Sequence, residues 1–579
     1  MVRGKYGEVK GIELAPRESF SVFTTNGTPD LVAISIVPVE GQSFTQALRA
    51  ETKRLPKNPW DAQVQARVGH AIDAGDVLLA SFYARAISSR AESGEAQTEF
   101  VLELARDPWS KSVSYPLRVG HEWQKFFVRF EASQSYAPGE AQMLFRLGYE
   151  PQTIEIGGLS VENFAQQVTL TDLPSTKLSY AGREGDAPWR SAADERIDKL
   201  RKAELALRVL DRTGKPVAGA EVNVEQQRQA FGFGSAVVAQ TLIQPGNERY
   251  KTLVGELFNF AVLENNLKWP PLEGEWGPGW TLDVAKQGLD WLNQRNIQAR
   301  GHVLVWPSWR NLPKSLRALE KDPARLRQAV RRHVQELAGA TRGKLAHWDV
   351  INEPFDNHDL MDLFGEDVMV EWFKAARAAD PSAKLFINDY AILSGGGGNT
   401  AHRDHYQKTI AFLLERRAPL DGIGMQGHFG TALTSPEQLL EILDRFAKFG
   451  KTIWVTEYDV DVDDETLAAD FTRDFYTALF SHPSVGGILM WGFWDGAHWH
   501  KNAPLYRQDF SLKPAGEVYR ELVLERWRTR ERGRTDGDGS YELRAFFGRY
   551  AIKVSAGGKT KTIELEHRER GAPVAIQLD

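Results

Sequence analysis

Apolar and polar positions change rhythm twice along this chain. Up to about residue 173 the apolar positions recur every second residue in short runs, over 76–87, 98–107, 123–132, 140–148 and 153–164. The run from Trp123 to Glu131 alternates in and out around Phe127, and Ala137-Pro138-Gly139 supplies one of the turns between runs. Period-two runs without a helical rhythm between them predict an antiparallel β-sandwich or jelly roll over 1–173. Residues 174–202 read as a linker, polar around 182–186, with a short charged helix over 192–202.

The second rhythm alternates strand and helix. Buried-type runs at 231–237, 258–264, 300–306, 346–352, 384–389, 422–426, 452–457 and 487–491 are separated by segments of helical period. One such segment opens with Ser435-Pro436-Glu437-Gln438, a capping box with proline in the first turn. It carries Leu439, Ile442, Leu443 and Phe446 on one face and stops at Gly450. Eight strands with helices between them predict a (β/α)8 barrel over 229–533. A doubly wound open sheet is the competing α/β fold, but the glycine run at 395–398 lacks phosphate-loop spacing. Two β pieces flank the barrel: Leu205, Leu207 and Val209 with Val222 and Val224 before it, then Tyr541, Leu543, Tyr550, Ile552, Val554, Ile563 and Leu565 after it. Neither holds enough strands to bury a core alone. The expectation is one discontinuous sandwich, 203–228 plus 534–579, at the end of the barrel away from its catalytic mouth.

Bulk properties narrow the function. A length of 579 residues calls for several domains, and 42% hydrophobic with 26% charged residues is a globular composition. A net charge of −6 over that length points to neither nucleic acid nor a membrane surface as partner. Without cysteine there is no disulfide, no thiolate metal site and no cysteine nucleophile. The opening MVRGKYGEVKGIELAP lacks the apolar core of a signal peptide, and no apolar run reaches membrane-spanning length. Seventeen tryptophans fit sugar binding, since an indole face stacks on the C–H face of a pyranose.

The candidate chemistry sits at strand ends. Leu345 to Phe355 (LAHWDVINEPF) carries an apolar run to Asn352 and Glu353, and Pro354 stops it; Lys451 to Glu457 repeats the design. One strand-end glutamate is ordinarily a capping or ion-pairing group. Two of them suggest the carboxyl pair that brackets a glycosidic bond. The strings WDVINE (348–353), GIGMQGH (422–428), VTEYD (455–459) and LENNLKW (263–269), with FGFGSAV, GHVLVW, INDY and MWGFWD in order, resemble the signatures of glycoside hydrolase family 10. These are the retaining endo-β-1,4-xylanases, and the flanking β pieces resemble the plant-type branch.

The resemblance implies that Glu457 is the nucleophile and Glu353 the acid/base. His428 would bond to Glu457 and Asp459 would orient His428, while Gln426 supports the pair and Asn352 bonds a sugar 2-hydroxyl. Glu264, Asn265 and Lys268 would grip the sugars on the non-reducing side, and His302, Trp306, Trp491 and Trp499 would line the cleft. It implies no cofactor and no metal, a xylan-type polysaccharide as partner, and a secreted or periplasmic location despite the missing signal. It sets no oligomeric state. Residues 123–164 are similar to carbohydrate-binding modules, with Trp60, Trp109, Tyr115 and Tyr136 as candidate platforms. One departure stands out: Trp306-Pro307-Ser308-Trp309 occupies the place of the family's Trp-His-Ser-Gln. Proline has no side-chain donor, and a buried hydroxyl left unpaired costs about 1–3 kcal/mol. Either His302 replaces the missing donor, or the preferred substrate is a decorated xylan or another β-glycan. A catalytically weak carbohydrate-binding protein is the remaining alternative.

Overall fold

The computed structural model of the chain describes residues 2–4, 7–15, 20–91, 94–569 and 571–578. Met1, Lys5, Tyr6 and Pro16 of the opening stretch, and Arg570 and Asp579 of the last expected domain, lie outside the described residues. The chain divides into two compact units. One comprises Met1–Tyr180 with Ser394–Thr400 and Phe429–Thr434; the other comprises Ala181–Leu393, Ala401–His428 and Ser435–Asp579.

In the first unit a five-stranded and a six-stranded sheet enclose one core. Strands Val77–Ser89, Ala96–Leu104, Gln124–Glu131, Ala141–Arg146 and Gln152–Asn163 fall on the runs read from the sequence. Along Gln124–Glu131, Phe126, Val128 and Phe130 point inward and Phe127 outward, toward a satellite cluster with Val77, Leu79 and Phe164. The rings of Phe82, Phe126 and Phe145 meet at 5.0 and 5.6 Å. Strands Val32–Pro38, Gln46–Thr52 and Lys111–Val119 join them, with the shorter Ile12–Ala15, Thr24–Asn26 and Gln63–Arg67. Their sequences give weak signals because their burial is mixed. Of the candidate platforms, Tyr136 is a core residue, 1% exposed, its hydroxyl 2.8 Å from Ser112 Oγ. Trp60 and Trp109 are exposed.

The second unit holds the barrel. Its parallel strands are β1 (Gly232–Val237), β2 (Phe260–Leu263), β3 (Gln298–Gly301), β4 (His347–Asn352), β5 (Lys384–Asp389), β6 (Gly422–Phe429), β7 (Thr452–Val460) and β8 (Val485–Met490), closed in sequence order. β1, β2, β4 and β6 are buried along their whole length, the mark of strands covered on both faces. Inside, Trp454 packs on Phe260, Phe386 and Leu489. Gly232 and Gly487 make that possible: a Cβ on either would lie 2.2–2.3 Å from the indole. Arg300 and Asp349 form an ion pair in this interior, at 0% and 1% side-chain exposure. Burial works against the Asp349 charge, but Arg300 and His302 outweigh it and hold the carboxyl below its usual range.

The third strand is shorter than the 300–306 reading. The ladder to β4 stops at the Gly301–Trp348 pair, where a Cβ on the glycine would lie 2.4 Å from the indole. It resumes when Leu304 and Val305 donate N–H bonds to the carbonyls of Asp349 and Val350, each at 3.0 Å. The helix expected at 192–202 begins earlier, as Pro188–Arg201, with the proline in its first turn. Ser435 caps Pro436–Ala447 by accepting the Gln438 N–H at 3.3 Å.

The segments flanking the barrel share two sheets. Lys202–Leu210 pairs with Ser540–Phe546 and Val574–Gln577, and Glu221–Gln229 pairs with Arg530–Arg534 and Gly548–Ala556. Leu207 lies opposite Tyr541, Val222 opposite Val554 and Val224 opposite Ile552. These residues join one core with Leu205, Val209 and Tyr550. Buried Gln226 stitches the two segments, donating to the Phe547 carbonyl at 2.9 Å and accepting the Thr529 N–H at 3.0 Å. The first strand after the barrel starts at Arg530, ahead of the 534 boundary, since Thr529 already bonds into this sheet. Ile552 is fully buried in a core built by strands more than 300 residues apart, so Ile552→Ala should cost about 2–5 kcal/mol. Chemical denaturation followed by circular dichroism measures it; a loss below about 0.5 kcal/mol would mean that this core does not close.

Candidate active site

β4 delivers Asn352 as its last residue and Glu353 just past it. Glu353 has φ of +54°, a left-handed conformation that costs a non-glycine residue about 1–3 kcal/mol. Its N–H donates to the Asn388 carbonyl at 2.8 Å, and Asn357 Nδ2 donates to the Glu353 carbonyl at 3.1 Å, so the surroundings hold the strained residue in place. Both carboxyl oxygens accept N–H bonds. Oε1 takes Asn352 Nδ2 at 3.1 Å and Gln426 Nε2 at 2.9 Å; Oε2 takes Trp306 Nε1 at 3.0 Å and Asn357 Nδ2 at 3.2 Å.

Glu457 lies on β7, 4% exposed, against 3% for Glu353. Its Oε1 accepts Asn388 Nδ2 at 2.9 Å and its Oε2 lies 3.3 Å from His428 Nε2. The other ring nitrogen of His428 is 3.0 Å from Asp459 Oδ2, which also accepts Trp499 Nε1 at 2.8 Å. Burial would raise the Asp459 pKa, but His428, with His498 and His500 beyond it, brings it below the usual range. Asn388 joins the two carboxyls: its Nδ2 reaches Glu457 and also Asn352 Oδ1, at 2.9 Å, and Asn352 in turn donates to Glu353. Thr456 Oγ1 donates to Asn388 Oδ1 at 2.7 Å and fixes which way that amide faces.

The polar loop after β2 reaches the same place. Asn265 donates to Glu264 Oε1 at 3.0 Å, and Lys268 Nζ donates to Asn265 Oδ1 at 2.7 Å. The Lys268 ammonium lies 5.3 Å from the Trp306 ring and 5.9 Å from the Trp491 ring, a cation held between two indoles. Burial raises the Glu264 pKa; Lys268 and Asn265 oppose it and Glu457 adds to it, and the net shift is upward. Trp491 packs edge-on to His302 at 5.3 Å. His302 Nδ1 is 3.1 Å from Asp349 Oδ2, so only its Nε2 is left to serve a sugar in place of the missing histidine. Pro307 is buried, and its carbonyl accepts the Leu360 N–H at 3.1 Å. Among the described residues no group of side chains is arranged to hold a metal ion.

Residues 223–521 match the family model for glycosyl hydrolase family 10. The chain belongs to glycosyl hydrolase family 10. It is 35% identical over 374 residues, 64% of this chain, to a protein described as anti-sigma-I factor RsgI6 from Acetivibrio thermocellus. It is 31% identical over 384 residues, 66% of this chain, to endo-1,4-beta-xylanase 1 of Arabidopsis thaliana. The chain spans 47% and 40% of those two relatives. Among solved structures, xylanase 10B from Thermotoga petrophila in complex with xylobiose is 25% identical, covers 51% of this chain and 95% of its own, and superposes with a TM-score of 0.47.

In this family 10 chain the structure gathers all thirteen residues singled out from the sequence around the mouth of the barrel or on the loops that rim it. Trp499 is the most exposed of them, at 48%. Two neighbours escaped the sequence reading. Asn388 is the penultimate residue of β5, and the strand-end position within INDY was a signal for it. Asn357 lies in the loop after Pro354 and carries no pattern that marks it.

Proposed function

We propose that this chain is a retaining endo-β-1,4-xylanase. The observation that carries the reading is the pair Glu353, just past the end of β4, and Glu457, on β7, each held by amide donors in a cleft walled by indoles. In this mechanism the Glu457 carboxylate attacks the anomeric carbon while Glu353 protonates the departing glycosidic oxygen. Water activated by the now ionised Glu353 then releases the covalent glycosyl-enzyme. His428, braced by Asp459, and Asn388 hold the attacking carboxylate in line. Asn352 suits the sugar 2-hydroxyl, a contact that strengthens as oxocarbenium character develops. Lys268, Asn265 and Glu264 grip the adjoining sugar.

Pro307 favours a specific second reading of the substrate, a decorated xylan or another β-glycan, because that corner of the cleft lacks the usual donor. Residues 1–173 act on this reading as a carbohydrate-binding module, supported by exposed Trp60 and Trp109, and 203–228 with 534–579 as an accessory sandwich. A location outside the cytoplasm fits a polysaccharide substrate. Among the described residues no helix is long and apolar enough to cross a membrane.

Release of reducing sugar from xylan, arabinoxylan and mixed-linkage glucan tests the activity and ranks the substrates. Proton NMR of the first product tests the stereochemistry, with the β-anomer expected first. No release from any of the three leaves a binding protein; an α-anomer first removes the nucleophile role from Glu457. Asn388→Ala removes the donor on the attacking oxygen without touching the sugar-gripping loop. It should lower kcat by about 10²-fold with KM nearly unchanged. A rise in KM at constant kcat would assign Asn388 to binding instead.

A further inference from the structure

Where the sandwich strands Glu221–Gln229, Gly548–Ala556 and Lys559–His567 face the helices Glu248–Leu257 and Glu521–Arg526, a cleft of about 560 Å³ gathers Arg228, Arg520, Arg528, Arg530 and Arg549. Three glutamates also line it, yet among the described residues Glu564 alone forms an ion pair with any of the five, to Arg549. Arg228 and Arg528 are half-buried, and their bonds go to main-chain oxygens. Arg228 donates to the carbonyls of Phe258 and Arg295, both at 2.8 Å, and Arg528 Nε donates to that of Gln226 at 2.9 Å. A carbonyl satisfies an N–H but leaves the charge uncompensated. Burial first, and Arg549 after it, disfavour the charge on Arg228; burial first, then Arg530, disfavour the charge on Arg528, with Arg228 adding and Glu225 opposing. Five guanidinium groups against three carboxylates leave positive charge in excess, a standing cost that a bound anion relieves.

A neighbouring cleft of about 970 Å³ shares Arg228, Asn296 and Arg549 with the first and adds Gln298, Lys384 and Phe547. The joint space is larger than a free ion needs. It offers amides for hydroxyl groups and an aromatic face beside the guanidinium groups.

We propose that this double cleft binds an acidic saccharide, its carboxylate held by Arg528, Arg530 and Arg228 and its rings seated toward Asn296 and Gln298. Guanidinium forks match a carboxylate in paired hydrogen bonds. The site is separate from the proposed xylanase chemistry and does not depend on it.

Titration calorimetry on the full chain at low ionic strength tests it, with trigalacturonate as the acidic probe, xylotriose as the neutral one and inorganic phosphate as the free anion. Trigalacturonate should bind, and its affinity should fall as sodium chloride is added. Arg528→Ser with Arg530→Ser should weaken it at least 10-fold, while Arg530→Lys should retain most of it. Arg530 is exposed on an edge strand, so Arg530→Ser alone serves if the double variant loses its thermal melt. No heat from trigalacturonate, or equal affinity in wild type and the serine variants, overturns the proposal. Phosphate binding as tightly as trigalacturonate overturns the saccharide assignment and leaves a plain anion site. Xylan hydrolysis should be unaffected by the serine variants, and its absence in the wild type would leave this result standing.

Discussion

Glu457→Ala is expected to lower kcat on xylan by about 10⁴-fold or more while leaving the far-ultraviolet circular dichroism unchanged. The geometry gives two reasons. Glu457 is the acceptor on which Asn388 and His428 converge, one at each carboxyl oxygen. Removing it leaves nothing to form the glycosyl-enzyme, so neither half of the double displacement survives. The fold should survive because the side chain contributes polar contacts rather than apolar area. Freed donors on Asn388 and His428 cost about 1–3 kcal/mol, and this is partly offset by no longer burying a charge. Glu457→Asp separates presence from position: shortening the side chain by one methylene withdraws the carboxylate by more than 1 Å, and a misplacement of that size costs about 10²-fold. A Glu457→Ala protein with more than a hundredth of the wild-type rate would sink the nucleophile assignment.

Glu353→Ala should cut turnover of xylan by about 10³-fold, within the range expected when a positioned proton donor is lost. The signature lies in its dependence on the leaving group. A xylose hydroxyl leaves poorly without a proton, whereas a nitrophenol leaves readily as its anion. Cleavage of an aryl xylobioside should therefore fall far less in the first step, and slow deglycosylation should then let the covalent intermediate accumulate. Intact-protein mass spectrometry during turnover would show the added disaccharide on Glu353→Ala and not on wild type. Equal losses on both substrates would make Glu353 a binding group. The structure adds one constraint. Four N–H donors occupy the two oxygens of Glu353 in the free protein, so a departing oxygen must displace at least one of them, and Trp306 is the one of the four residues that is not fully buried. Trp306→Phe keeps an aromatic face and removes that N–H, which separates stacking from hydrogen bonding in the same assays.

The sequence by itself determined the barrel and the two glutamates at its mouth. Strands buried on both faces must be continuous apolar runs, and a carboxylate at the C-terminal part of such a run points to the barrel mouth. Period and punctuation carry that information locally, which is why β4 and β7 and the cap at Ser435 were legible. The limits of β3 were not, because they depend on where its pairing with the next strand stops, at Gly301 and Trp348, and resumes, at Leu304. The role of Tyr136 was hidden for a similar reason, since an aromatic between turns reads equally as platform or filler until its hydroxyl meets Ser112. Asn388 became a bridge between Glu457 and Asn352 only when β4, β5 and β7 closed around one axis. The arginine cleft likewise draws on segments beginning with Arg228 and ending with Arg549, and no window of sequence contains both. Local pattern fixes what each element is; long-range closure decides which side chains share a volume, and shared volume is what sets charge, proton affinity and chemistry.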